Sequence, residues 1–398
     1  MNSLPPMQVT DSFPGFDKLF QWATGRGADI AHVCVAENKL GMKGIFANKD
    51  FEPGEQIILI PEPCILTSNI ARASAIGQAI SEANPTDQSD HAYLAMFMLA
   101  DQASHISRWH HYYNNLPREF TEHPLFYDEE QLARLKGSRA LEMIYRRRFS
   151  LQQSYQSMVD ALGDSFRFTL PDYQITRTAI NTRCFGVNFD DSEQAAMIPV
   201  IDMINHGDDD STERGCDGNG YGVWAKKPIA KGDEITHSYG QKCQQRYFAN
   251  YGFLRESTID DECQVTIQLD SRCPSLSAKM AQLDISQPVM ELALGNDLME
   301  TLEQAMPVLR IAASEAGLQD EVELTGEQIR ARDMAALSLL KTALEKKLAC
   351  YQSKNQPHSR FAATDTPMIT AFLQREQQLL RDYLEFCLRD EFKLEDLG

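Results

Sequence analysis

The chain has 398 residues, 43% of them apolar and 24% charged, and carries a formal net charge of −19. At roughly 100–200 residues per domain that length predicts two or three domains, and the lack of any run of about 18 apolar residues excludes a membrane-spanning helix. The acidity disfavours nucleic acid as a direct partner, because phosphate binding needs a concentrated basic face; it suits a basic partner and serves solubility equally well.

The opening Met1-Asn-Ser-Leu-Pro-Pro-Met-Gln-Val-Thr10 has neither the basic start nor the apolar run of a secretory signal. The expected compartment is therefore the cytoplasm, with the nucleus open to it in a eukaryote. Nine cysteines lie at 34, 64, 184, 216, 243, 263, 273, 350 and 387 without a C-x-x-C pair, and the nine histidines are equally dispersed. Reduced thiols and no metal site are expected.

Residues 30–67 read as short strands: Ile30 to Val35, Gly44-Ile-Phe-Ala47 and Gln56-Ile-Ile-Leu-Ile60, the last stopped by Pro61 and Pro63. Phe51-Glu-Pro-Gly-Glu55 places a Pro-Gly pair where a tight reversal falls. From about 71 to 165 the period is helical. Tyr93, Leu94, Phe97, Met98 and Ala100 share one face of a buried helix. Asp128-Glu-Glu-Gln131 predicts a helix start with acid at the positive end of the dipole, and Leu132 and Leu135 follow on one face. Arg146-Arg-Arg148 reads as a solvated helix face.

Strand character returns over 183–240, where Tyr221-Gly-Val-Trp224 and Asp233-Glu-Ile-Thr236 flank Lys227-Pro-Ile-Ala-Lys-Gly232. The segments Phe46 to Glu55 and Trp224 to Asp233 share a pattern and predict two equivalent hairpins. Beyond about 257 the helical period dominates. Met334, Leu337, Leu340, Leu344 and Leu348 form one stripe; Met368, Phe372, Leu373, Leu379, Leu380, Tyr383 and Leu384 form another, with an exposed loop from Ser353 to Thr366 between them.

Candidate chemistry concentrates in three places: Ile198-Pro-Val-Ile-Asp-Met-Ile-Asn-His-Gly207, Lys231-Gly-Asp-Glu-Ile-Thr-His-Ser-Tyr-Gly240 and Asn250-Tyr-Gly-Phe253. Polar interruptions of apolar strands are costly unless something uses them. Taken alone, Asn205-His206 reads more readily as local capping of a turn, and Tyr239-Gly240 is weaker still. No strand leads into a G-x-G-x-x-G helix start, which argues against a doubly wound nucleotide-binding fold.

The ordered set Gly41-Met-Lys-Gly-Ile-Phe-Ala47, Arg183-Cys-Phe185, Asp202-Met-Ile-Asn-His206, Gly232 to Tyr239 and Asn250 to Phe253 resembles the SET-domain methyltransferases, in particular those similar to the Rubisco large-subunit methyltransferase. Trp109-His-His-Tyr-Tyr-Asn-Asn-Leu-Pro117 and Pro124 to Glu130 resemble the helical insertion of that branch. The resemblance implies an α+β SET fold of short β-sheets over residues 1–256, with a helical insertion at about 71–170, then an all-α substrate-binding domain over 257–398.

It also implies S-adenosylmethionine as cofactor and a protein presenting a lysine as substrate. Lys43, Gly44 and Ile45 would offer backbone groups to the cofactor, and Arg183, Asp202, Asn205 and His206 would hold its polar ends. Tyr239 would be the catalytic tyrosine and touch the cofactor, with Tyr251 and Phe253 completing the pocket. Phe185 and Tyr251 would meet the substrate. The chemistry agrees: methyl transfer from a sulfonium needs collinear alignment more than acid or base. A lysine with a reference pKa near ~10.4 must arrive neutral, which an apolar, cation-bearing channel favours.

Three departures stand out. The first motif reads Gly41-Met-Lys-Gly44 instead of G-x-G. Gly207-Asp-Asp-Asp210 follows the histidine and adds negative charge that would favour a basic peptide. His237-Ser238 precedes the tyrosine, where a more apolar pair would give a firmer channel wall. Phe185 stands where lysine-modifying members of the branch carry an aromatic residue and histidine-modifying members a polar one, which favours lysine. Histidine methylation on the same scaffold and a non-catalytic SET-like binding module are the alternatives.

Overall fold

The computed structural model describes residues 14–104, 106–163, 166–189, 192–314, 325–352 and 366–388. In chain order the elements are α1 (Pro14–Thr24), β1 (Val33–Glu37), β2 (Lys43–Ala47), β3 (Gln56–Pro61), β4 (Leu66–Thr67), α2 (Ser68–Ala73), α3 (Ala75–Ala83), α4 (Asp90–Gln102), α5 (His110–Tyr113), α6 (Glu129–Arg134), α7 (Arg139–Leu162) and α8 (Leu170–Arg183). They continue with β5 (Cys184–Asn188), β6 (Glu193–Met197), β7 (Asn205–His206), β8 (Thr212–Cys216), β9 (Gly220–Ala225), β10 (Glu234–His237), α9 (Gln244–Tyr251), β11 (Glu262–Gln268), α10 (Leu276–Gln282), β12 (Val289–Gly295), α11 (Leu298–Ala313), α12 (Gly326–Gln352) and α13 (Pro367–Leu388).

Two compact units result, one from residues 1–120 with 147–241 and the other from 121–146 with 242–398. The first is built on three small sheets, ordered β1-β2-β10-β7, β3-β9-β8 and β4-β6-β5. Short strands suffice because their inward residues, among them Ile45, Phe51, Ile58, Leu66, Ile198 and Ile235, converge on one apolar core. Each such buried side chain contributes about 1.5–3 kcal/mol.

The two equivalent hairpins expected from the repeated pattern pair with each other. Phe51 and Ile229 exchange both backbone hydrogen bonds, at 2.8 and 3.0 Å. Gly54 N–H donates to Ala225 O at 2.7 Å, as Gly232 N–H does to Ala47 O at 2.8 Å. Ala225 N–H donates to Glu55 O at 2.9 Å, as Ala47 N–H does to Asp233 O at 3.0 Å. This local two-fold joins β2 to β3 on one side and β9 to β10 on the other. It brings β10 antiparallel to β2, with Ile235 opposite Ile45, while β7 lies parallel to β10, with His206 opposite His237.

The expected buried helix is α4, but it is enclosed more fully than a single stripe requires. Ala92 to Met96, Met98 and Leu99 are all buried because α2 and α3 pack on one side and α8 on another. Polar surface cannot face a neighbour on every side without partners, so this helix keeps its polar residues for its ends.

In the second unit Asp128 caps α6 and Gln131 returns the bond, the capping box that Asp128-Glu-Glu-Gln131 implies. Leu132 and Leu135 are fully buried. The C-terminal part is predominantly helical, with one addition: β11 and β12 form an antiparallel pair from Glu262 opposite Gly295 to Gln268 opposite Val289. Cys263, Val265 and Ile267 alternate inward on β11, a period-two signal too short to stand out beside the long helices. Leu337, Leu340, Leu344 and Leu348 are buried as expected, whereas Met334 is 60% exposed: at that end the buried face is Asp333, paired with Arg310, and Ala336. Most of the expected loop from Ser353 to Thr366 lies outside the described residues.

Candidate active site

The segment Ile198 to His206 is held in a strained turn. Val200, fully buried and β-branched, adopts φ +73° and ψ −51°, and a single 3₁₀ turn over Ile201–Met203 follows. A non-glycine residue there costs about 1–3 kcal/mol and persists only where its surroundings over-determine it. Asp202 N–H bonds Ile198 O at 3.0 Å, and Arg183 Nη1 donates to Asp202 O at 2.8 Å. The turn thereby directs Asp202 inward and delivers Asn205 and His206 to strand β7.

Asp202 is 7% exposed. Its Oδ2 accepts from Tyr112 Oη at 2.8 Å and lies 3.7 Å from Arg183 Nη1, while Oδ1 has no partner among the described residues. Burial pushes this carboxyl up to about 6, against the pull of the Arg183 charge. Tyr112 comes from α5 in the helical insertion.

Asn205 Nδ2 donates to Lys43 O at 3.1 Å and to Glu234 Oε1 at 2.7 Å. The Glu234 and Asn205 side chains sit directly over Gly44, where a Cβ would come within 2.4 Å of Glu234 Oε1 and 2.7 Å of Asn205 Nδ2, so a larger residue would displace this bonded pair. The Gly41-Met-Lys-Gly44 motif is the β1–β2 reversal: Asn38 Oδ1 accepts from the N–H groups of Leu40 and Met42, and Gly41 takes φ +73°. Ile45 is fully buried, and Lys43 extends its ammonium to 5.5 Å from the Phe16 ring centroid.

Tyr239 follows β10. Its Oη donates to Ile204 O at 3.0 Å, and its N–H donates to His206 Nδ1 at 3.2 Å. Accepting at Nδ1 leaves the His206 proton on Nε2, which lies 3.2 Å from Asp208 Oδ1. Ring centroids place Tyr239 at 5.4 Å from His206 and 5.1 Å from His237, and His237 at 5.8 Å from Phe185. Phe185 also meets Tyr221 at 5.7 Å.

Two of the expected departures take a different meaning. His237 does not loosen a wall: it is 3% exposed and packed between Phe185 and Tyr239. Burial, with the Arg214 charge, pushes its pKa down to about 3, so the ring is neutral, and its Nδ1 has no hydrogen-bond partner among the described residues. The acidic run is engaged within the protein: Asp208 with His206, Asp209 with Lys227, and Asp210 with Lys226 at 3.1 Å and with Ser238 N–H at 3.0 Å. Asp209 and Asp210 thus face lysines, while Asp208 hydrogen-bonds a histidine.

Lys43, Gly44, Ile45, Arg183, Phe185, Asp202, Asn205, His206 and Tyr239 all belong to the first unit. Tyr251 and Phe253 belong to the second, where they cluster with Tyr247 at centroid distances of 5.9 Å (Tyr247–Tyr251), 5.3 Å (Tyr247–Phe253) and 6.1 Å (Tyr251–Phe253). His123 Nε2–H donates to Asn250 O at 3.1 Å and fixes that segment. Arg255 Nη1 spans Lys242 O and Asp260, at 3.2 and 2.8 Å. Sequence reasoning missed Tyr112 and gave Glu234 no role. Tyr112 had no signal beyond its place in the aromatic run after Trp109, whereas Glu234 stands in the motif and only its contact with Asn205 explains it.

A core of three small sheets whose polar turn is met by Tyr112 of α5 defines a class. The SET-domain family model matches residues 42–240, and the chain belongs to that family. Actin-histidine N-methyltransferase of Mus musculus is 23% identical over 286 residues, which take in 67% of this chain and 47% of that protein. The Rattus norvegicus protein of the same name is 24% identical over 288 residues, with the same coverage. The chain thus spans about half the length of these relatives. Among solved structures, the SET domain of LSMT bound to methyllysine and AdoHcy aligns with a TM-score of 0.73 at 18% identity, over 97% of this chain and 94% of that one. Rubisco LSMT bound to AdoMet gives 0.70 at 17%, over 97% and 93%. The likeness is one of fold. Among the described residues no helix is long and apolar enough to cross a membrane.

Proposed function

We propose that the chain is an S-adenosylmethionine-dependent methyltransferase that modifies a lysine side chain of a non-histone protein. The observation that carries the reading is Tyr239, fixed by Ile204 O and His206 at the end of an aromatic row running through His237 to Phe185. The cofactor, when bound, supplies a methyl group on a positively charged sulfur.

The residues present fit it. Asp202 Oδ1 is a buried acceptor with no donor among the described residues, Arg183 lies beside that carboxylate, and Asn205 packs against Gly44 and Lys43 O. Lys43 and Ile45 would contribute backbone groups and His206 its own, so this set would hold the polar ends of the cofactor. Contacts of Tyr251 and Phe253 with cofactor or substrate rest on the family resemblance alone, as does a substrate-binding role for residues 257–398.

Phe185 is the residue we assign to the target side chain. With Tyr221 and His237 it forms an apolar wall that disfavours a charged ammonium and so favours the neutral amine needed for attack. Tyr239 would orient the amine. Transfer to histidine is the second reading, favoured by the actin-histidine N-methyltransferases among the relatives. A binding module without catalysis is the third. We place the protein in the cytoplasm, with neither nucleic acid nor membrane as a partner.

Methyl-labelled cofactor incubated with the pure chain and whole-cell protein, followed by mass-spectrometric location of the label, tests all three. Label on lysine is the expected result. Label on histidine moves the assignment to the second reading, and the absence of both transfer and calorimetric cofactor binding sinks the enzyme.

A further inference from the structure

Beside Phe185 the first unit contains an open cavity of about 440 Å³. Phe185, Gly186, Glu193 and Gln194 of the β5–β6 hairpin line it together with Asp90 and His91 from the first turn of α4. Resting on the methyltransferase reading above, we infer that this cavity receives an arginine side chain of the substrate protein, close in sequence to the residue that is methylated.

The polar groups lining the cavity accept more than they donate. Gln194 is 5% exposed, and its side-chain oxygen has no donor among the described residues. An amide oxygen buried in that state costs roughly 1–3 kcal/mol until a donor arrives. Glu193 is exposed at the hairpin, where its backbone pairs with Asn188 while its carboxylate has no hydrogen bond or ion pair among the described residues. Asp90 stays ionised: although partial burial opposes it, the Arg72 guanidinium at 2.9 Å and Ala195 N–H at 3.1 Å hold its pKa down. Burial, with the Arg177 and Arg147 charges, lowers the His91 pKa and keeps that ring neutral. No lysine or arginine lines the space.

A guanidinium answers this set better than an ammonium. It presents several N–H donors in one plane, enough for a carboxylate and an amide oxygen together, and that plane stacks on an aromatic face such as Phe185. Gly186, without a side chain and exposed, leaves the entrance clear. Phe185 itself ties the cavity to the target, since its ring touches His237, which touches Tyr239. The net charge of −19 favours the approach of such a segment.

The test has two arms on the full chain. In the first, N-acetyl-arginine methylamide and its neutral citrulline isostere are titrated by NMR. Arginine should bind at least fivefold more tightly, and Glu193→Gln and Gln194→Leu should each weaken it at least threefold while leaving citrulline unchanged. Equal binding of the two probes, or arginine binding untouched by both substitutions, overturns the inference whatever the enzyme does. In the second, lysine-centred peptides with arginine scanned through the flanking positions are offered with labelled cofactor. One position should gain at least tenfold, and Glu193→Gln should abolish the gain. Transfer without positional preference overturns the inference and leaves the methyltransferase reading intact; arginine binding without transfer to any peptide or protein does the reverse.

Discussion

Tyr239 and Asp202 carry different kinds of work, and their surroundings separate them. The Tyr239 hydroxyl donates to a backbone carbonyl, Ile204 O, so replacing it with hydrogen removes that neutral bond and leaves the ring contacts with His206 and His237 in place. On the proposed reading Tyr239→Phe lowers kcat by about 10²-fold or more, while calorimetric cofactor affinity stays within about threefold. Equal losses in both would contradict the assignment. Asp202 offers a buried oxygen with no partner among the described residues and a pKa pushed up to about 6 by burial. Lowering the pH through that value adds a proton and removes the charge that attracts a cationic donor, so cofactor affinity should fall severalfold between about pH 7.5 and pH 5. Asp202→Asn should bind weakly and lose that inflection; a wild-type profile flat across this range would show that the carboxylate takes no part.

Among the elements, α13 ties its unit together through one buried carboxylate. Glu376, 5% exposed, accepts from Ser138 at 3.0 Å, from Gln245 at 2.5 Å and from Tyr351 at 3.0 Å, residues that follow α6, lie on α9 and lie on α12. Burial raises its pKa, opposed by these neutral donors and the Lys347 charge. Removing the acceptor would leave three buried donors unmatched at about 1–3 kcal/mol each, partly relieved by water. Glu376→Ala should therefore cost on the order of 3–5 kcal/mol in urea unfolding, and Glu376→Gln less, since one oxygen remains. A loss under about 1 kcal/mol in both would mean that the network contributes little. At the same scale, the paired hairpins around Phe51 and Ile229 explain why a repeated pattern with no repeat array appears in the chain: each copy supplies the other with hydrogen bonds that neither could make alone.

For the molecule as a whole, what could be read in advance was local. Short apolar runs bounded by turn residues marked β2, β3 and β9, the helical stripes marked α12 and α13, and Asp128 with Gln131 announced the start of α6, because such runs, periods and caps depend on residues a few positions apart. The linear order of motifs from Gly41 to Phe253 likewise carried the family without any geometry. The tertiary structure alone decided the rest. Tyr112 reaches Asp202 and Asn205 reaches Lys43 O across long stretches of chain, and no local period encodes such meetings. The charges of Asp208 to Asp210 look available in the sequence, yet the fold brings His206, Lys227 and Lys226 to meet them. His237, polar on paper, is neutral because the packing of Phe185 and Tyr239 removes water from it. Propensity and order are properties of the chain; ionisation and partnership are properties of the space into which it folds.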